Sequence, residues 1–218
     1  MKLVALLLAA TPVAAQEFVE APAKLSDDAF YRAVACAAPP GESCRKPLLR
    51  WSDARRTDLT VGLVSVADVL QPYQMRLFEQ GLAGAVEEIN ALGAGIRLRR
   101  DDKAPDIAIH VVATPPGGVM TGTGIPALDG ALLPLGRVAL RARDGVITEA
   151  MIAVSAKARR REVASVLLEE ITQAMGLMTD ISGPAYRRSV FSEDGNSVTR
   201  LEGQDAMALR RHYGEPGD

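Results

Sequence analysis

Residues 74–92 carry Met75, Leu77, Phe78, Leu82, Val86, Ile89 and Leu92 at the three-and-four spacing of one helix face, and Gly93 closes the run. That pattern predicts a long amphipathic helix. A second helix is predicted over 158–175, where Val163, Leu167, Ile171 and Ala174 gather on one side and Val166 and Leu177 widen it. Glu170 falls inside this apolar arc, with Glu169 and Gln173 on its border. A carboxylate so placed needs a partner or water, or burial raises its pKa. Near the N-terminus, Ser26 is a good N-cap and Asp27 and Asp28 suit the positive end of a helix reaching about Cys36 through Phe30, Tyr31 and Val34.

Between these helices the period shortens to two. The β-branched alternation of 59–66 predicts a strand, and two more are expected near 96–98 and 106–112. Residues 138–143 and 146–155 read as strands joined by Asp144-Gly145, a hairpin turn. The stretch 113–135 is rich in Gly, Pro and Thr and reads as a rim loop or lid. Its glycines lack the following Lys and the spacing of a phosphate loop. Thr199-Arg200-Leu201-Glu202 has the form of a capping box, ahead of a last helix with Ala206, Leu209 and Tyr213 that stops at Gly214.

Composition adds the compartment. Lys2, the apolar run 3–10 and the small residues Val13, Ala14 and Ala15 have the three parts of a secretory signal, so removal of 1–15 and export to the periplasm or medium are expected, with no stable membrane anchor afterwards. About 200 residues would remain, enough for one core. Hydrophobic residues make up 48% of the chain and aromatics only 4%, so aliphatic side chains must fill that core. A net charge of -2 excludes a general nucleic-acid binder, and Arg159-Arg160-Arg161 reads as a solvated helix entrance. Cys36 and Cys44 are the only cysteines and bracket a turn-forming Pro-Pro-Gly loop. In an exported chain they read as a disulfide worth up to roughly 2.6 kcal/mol in loop-closure entropy. The organisation expected is a signal (1–15), an N-terminal helix with its disulfide loop (16–50), a main domain (51–214) and a tail (215–218).

The candidate chemistry sits at 167–180. A zinc-protease helix holds its metal with two His at i and i+4, sets a Glu beside the first as general base, and turns at a later Gly toward a third ligand. Here those places read Glu169, Glu170, Gln173, Gly176 and Thr179, so the frame and the general-base position persist without any imidazole. The same order of elements, with Arg50-Trp51 before the first strand, Asp106-Ile107-Ala108-Ile109 on a middle strand and Leu201, Asp205, Leu209 and Tyr213-Gly214 at the end, resembles matrixin-like domains of the metzincin clan. The EExxQxxGL segment also resembles an uncharacterised exported bacterial family of the domain-of-unknown-function type. The resemblance implies an α+β fold: a twisted mixed sheet packed on two long helices, with a C-terminal helix and a disulfide-pinned N-terminal helix. It puts Glu169 at the first ligand, Glu170 at the general base, Gln173 at the second ligand and Thr179 at the third. Asp180 could replace Thr179 with a shifted turn, and Ser189, Val190 and Phe191 stand at the methionine turn.

One carboxylate, one amide and one hydroxyl form a poorer zinc shell than three imidazoles, so neither zinc nor another cofactor is expected. His110 alternates with Ala108 and Val112 and reads as a sheet-face residue; His212, in a last helix turn, suits a cation at the negative helix end. Neither completes a triad with Ser165, Ser189 or Ser192. The expected function is a pseudoprotease-like binding or structural domain whose cleft and sheet edge take a peptide or protein partner. The alternative is a divergent hydrolase with Glu170 as general base.

Overall fold

The computed structural model describes residues 13–14, 18–195 and 197–214. Most of the expected signal (1–15) and the tail (215–218) lie outside them. The fold is α+β, with a mostly parallel central sheet and, among the described residues, five helices. Strands β1 (Val13–Ala14) and β2 (Phe18–Glu20) precede helix α1 (Asp27–Cys36); β3 (Arg50–Trp51), the single turn α2 (Asp53–Arg56) and β4 (Leu59–Val66) lead to the long helix α3 (Pro72–Ala91). Then come β5 (Leu98–Arg100), β6 (Ile107–Val112), the short strands β7 (Gly118–Val119) and β8 (Leu132–Leu133), and the hairpin of β9 (Gly136–Arg143) and β10 (Val146–Ser155). Helix α4 (Val163–Ala174), β11 (Asp180–Ser182) and helix α5 (Gly203–Tyr213) complete the order.

The main sheet runs β1-β9-β10-β6-β4-β5, with β3 on the start of β10. Strands β10, β6, β4 and β5 are parallel, whereas β9 is antiparallel to β10 and β1 antiparallel to β9. Alternation divides the sheet into two faces. Val138, Leu140, Ile109, Ile152 and Val154 face the large core shared with α3 and α4. Ala139, Met151, Ala153 and Val112 face a smaller core, closed by Met120, Ile125, Leu128 and Leu133 of the 113–135 loop. The Gly- and Pro-rich stretch is therefore a packed lid with a β7–β8 hairpin.

Helix α1 is capped, cross-linked to the loop that follows it, and packed against the segment after β11. Ser26 caps α1, its Oγ accepting from Ala29 N at 3.3 Å. Cys36 is bonded to Cys44 in the loop that follows. Replacing both cysteines by serine is expected to lower unfolding stability by about 2–3 kcal/mol, read from urea melts, with no further loss on adding reductant. Phe30 stacks on Tyr186 at 5.3 Å and meets Phe191 edge-on at 6.1 Å.

Three expectations are corrected. Helix α4 starts at Val163 rather than near 158, because Arg159–Glu162 forms a separate turn in which Glu162 Oε2 accepts from Arg159 N at 2.9 Å; the three arginines are exposed as expected. The capping box at Thr199 is not used: Leu201 is buried and its N–H donates to Glu88 Oε1 at 2.8 Å, so α5 begins at Gly203. His212 is no helix-end cation. It is fully buried, and burial pushes its pKa down to about 4, so it is neutral. Its Nε2 lies 2.9 Å from the Leu49 carbonyl, which can only accept, so Nε2 carries the proton and Nδ1 accepts from Tyr31 Oη at 3.2 Å. No helix among the described residues is long and apolar enough to cross a membrane.

Candidate functional site

Helix α4 runs through the core with almost every residue buried, and Glu170 is as enclosed as its apolar neighbours at 2% exposure. Its carboxyl group lies against the first residue of β9. A Cβ on Gly136 would fall 2.6 Å from Glu170 Cγ and 2.7 Å from Cδ, so the glycine makes room for the acid. Glu170 Oε2 has no hydrogen-bond partner. Burial, then Glu169, then Asp180 push its pKa well above the usual carboxylate range, and Arg137 opposes them. Burial therefore favours the protonated acid, a hydrogen-bond donor, over the carboxylate that a general base requires.

Past α4 the chain turns at Gly176, and Tyr213 and Trp51 close the helix end. Trp51 Nε1 donates to Ala174 O at 2.9 Å and Tyr213 Oη to Met175 O at 2.6 Å. The two residues after Met178 then diverge. Thr179 is buried, its N–H bonded to Val34 O at 3.1 Å, and it faces a small cavity beside Lys46 and Leu49. Asp180 opens β11, which pairs in parallel with β2, and faces the cleft. Its Oδ1 accepts from Gln173 Nε2 at 2.8 Å. Burial and Glu193 push the Asp180 pKa up to about 7 against the lowering effects of Gln173 and Lys46. Of the two alternatives for the third place, the cleft holds Asp180.

The segment at the methionine-turn place is built as a tight turn. Asp205 accepts from Ser189 Oγ at 2.6 Å and Val190 N at 2.8 Å, and burial holds its pKa up at about 6. Val190 and Phe191 pack fully into the core, and Ile181 N donates to Phe191 O at 2.7 Å. The turn thereby delivers Ser192 and Glu193 to the cleft, where Ser192 Oγ is buried without a hydrogen-bond partner.

These pieces enclose a cavity of about 270 Å³. Its acidic wall is Glu162, Glu169 and Glu170 of the α4 segment with Asp180 and Glu193 opposite. Its apolar wall is Pro134, Leu135 and Val166. Sequence reasoning found Glu169, Glu170 and Asp180 and missed Glu162, Ser192, Glu193 and Gly136. Glu162 lies two helical turns before Glu169, so its spacing was a usable signal. The other three arrive from distant segments with no local mark. Cys36 and Cys44 lie outside this cleft, as does His110, whose Nδ1 sits 2.8 Å from Ser65 Oγ.

The zinc implied by the protease frame does not fit this donor set. Gln173 presents its amide nitrogen to Asp180, and Thr179 faces the other cavity, so only Glu169 of the three ligand places lines the cleft. Among the described residues no group of three or more His, Cys, Asp or Glu side chains is placed to hold a metal ion.

Residues 127–216, from the lid through α5, match a family described as Protein of unknown function (DUF2927). That stretch contains every residue of the cleft wall. No curated protein matches the chain.

Proposed function

We propose that this is an exported, pseudoprotease-like domain of metzincin-like architecture that binds an extended peptide along strand β9 without cleaving it. The observation that carries the reading is the edge itself. Strand β9 is the one long antiparallel strand at the margin of a parallel sheet, and a short extended piece, Val13–Ala14, adds to it with Val13 opposite Leu140 and Ala14 opposite Ala139. An edge that accepts two residues by main-chain pairing offers the same groups to another chain. Support for the metzincin-like comparison comes from the strand order, the reversed edge strand, and Glu170 on a helix that ends in a glycine turn. The signal-like N-terminus and the Cys36–Cys44 disulfide support export.

The rival reading, hydrolysis with Glu170 as base, requires an ionised Glu170 and an electrophile for the developing oxyanion. The raised pKa works against the first. Among the described residues that line the cleft there is no cationic side chain for the second.

Labelled, extended decapeptides from a randomised library, titrated by fluorescence anisotropy into the purified disulfide-bonded protein with and without residues 1–15, test the proposal. Binding should be tighter without residues 1–15. It should fall at least about tenfold when alternate peptide nitrogens are methylated, because each methyl removes a ladder hydrogen bond. Binding indifferent to methylation would overturn strand addition, and peptide turnover lost in Glu170→Gln would favour the hydrolase.

A further inference from the structure

We infer that the cleft beside β9 is a selectivity pocket for one cationic side chain, arginine above lysine, of the peptide held on that strand. The inference rests on the strand-addition reading and deepens it. Gly136 is both the first residue of β9 and part of the cavity wall, so a peptide running along β9 passes the mouth of the cavity as it leaves the strand. Side chains of an added strand alternate between the two faces of the sheet, and one of them points to the helix side where the cavity lies.

The lining selects what enters. Five carboxyl groups, Glu162, Glu169, Glu170, Asp180 and Glu193, face the cavity from three separate segments, and no Lys or Arg is among the described residues that line it. Nearby cations are already engaged: Arg159 pairs with Glu162 at 3.7 Å, Arg137 acts on Glu170 and Lys46 on Asp180. Two buried polar atoms wait without partners, Glu170 Oε2 and Ser192 Oγ, at 2% and 4% residue exposure. Leaving such groups unsatisfied is costly, and an entering donor would satisfy both. Pro134, Leu135 and Val166 form an apolar side to the same cavity. A donor-rich head on an apolar stem is the shape of arginine or lysine. The arginine fork matches carboxylate pairs with two parallel hydrogen bonds, which a lysine ammonium cannot do. A metal ion is a poorer occupant, because no three of these side chains converge.

The cavity also sets a direction with pH. A cation entering beside Glu170 favours its ionised form and releases a proton, so binding tightens as pH rises. The groups acting on this step are Glu169, Asp180 and Arg137 directly, with Glu162 and Glu193 across the cavity.

The test uses the same purified protein and a positional scan in which arginine, lysine, norleucine or glutamate is placed at each site of one binding decapeptide. At one site, arginine should bind about tenfold or more tighter than norleucine, with lysine between and glutamate weakest, and the arginine preference should grow from pH 6 to pH 8. Glu170→Gln should remove most of the preference. Glu193→Gln, an exposed rim change that leaves the core untouched, should reduce it. Peptides that bind with no arginine preference at any site would overturn the pocket and leave strand addition standing. Absence of any peptide binding would overturn both, and a preference that depends on added Ca²⁺ or Zn²⁺ would replace the cation pocket with a metal site.

Discussion

Gly176→Ala is expected to destabilise the fold by about 2–6 kcal/mol. Gly176 sits at φ +101, immediately after the last turn of α4, a conformation that side chains rarely adopt. A Cβ there would fall 2.9 Å from the Leu49 carbonyl carbon and 3.0 Å from His212 Nε2. Neither neighbour can retreat. The Leu49 carbonyl accepts the His212 proton at 2.9 Å, and His212 is enclosed between Tyr31 and Tyr213. The strained dihedral costs about 1–3 kcal/mol and forced packing a similar amount. Their sum, about 2–6 kcal/mol, reaches the lower end of the stability of an ordinary domain, about 5–15 kcal/mol. Circular dichroism should show the cooperative melt shifted well below that of the parent. Gly84→Ala, inside α3 with open space around its added methyl, should instead raise stability by about 0.5–1 kcal/mol. If Gly176→Ala melts like the parent, the turn after α4 is not the rigid junction described above.

That junction also marks where the sequence stops being readable. Helix α3, strand β4, the β9–β10 hairpin and the buried arc of α4 follow from periods and turn residues inside single segments, and all appear within a few residues of their expected bounds. What failed depended on partners far along the chain. Thr199 to Glu202 has every residue of a capping box, but burial of Leu201 and the Glu88 carboxylate decide that backbone. His212 has the position of a helix-end cation, but Leu49 and Tyr31 decide its charge. In the cleft, the helical wheel identified Glu170 as an acid out of place. It did not distinguish Thr179 from Asp180, because that choice depends on β11 pairing with β2, two short segments some 160 residues apart.

Glu170→Gln should stabilise the protein, and more so the higher the pH. The folded Glu170 pKa stands above its unfolded value, so the stability it contributes is fully present below the ordinary carboxylate pKa and is lost as pH rises through the folded value. Glutamine keeps the volume against Gly136 and never ionises, so the difference between the two proteins should be small near pH 4. By pH 9 it should reach about 3–5 kcal/mol, the cost of an uncompensated buried charge. Two other groups shape both curves. Asp180, raised to about 7, makes both proteins lose stability between pH 4 and 7, and Asp180→Asn should flatten that interval. His212, lowered to about 4, acts in reverse, removing stability as pH falls from 6.5 toward 4. Because His212 is common to both proteins, it cancels in the comparison, leaving the widening alkaline gap as the signature of Glu170. Urea melts at pH 5, 7 and 9 measure it directly. A buried acid that weakens its own fold as pH rises is retained at a cost, and such costs concentrate where a protein meets its ligand. If the gap does not widen, Glu170 is already compensated in the folded state, and the cleft loses its strongest claim to be a binding site rather than a polar network within the core.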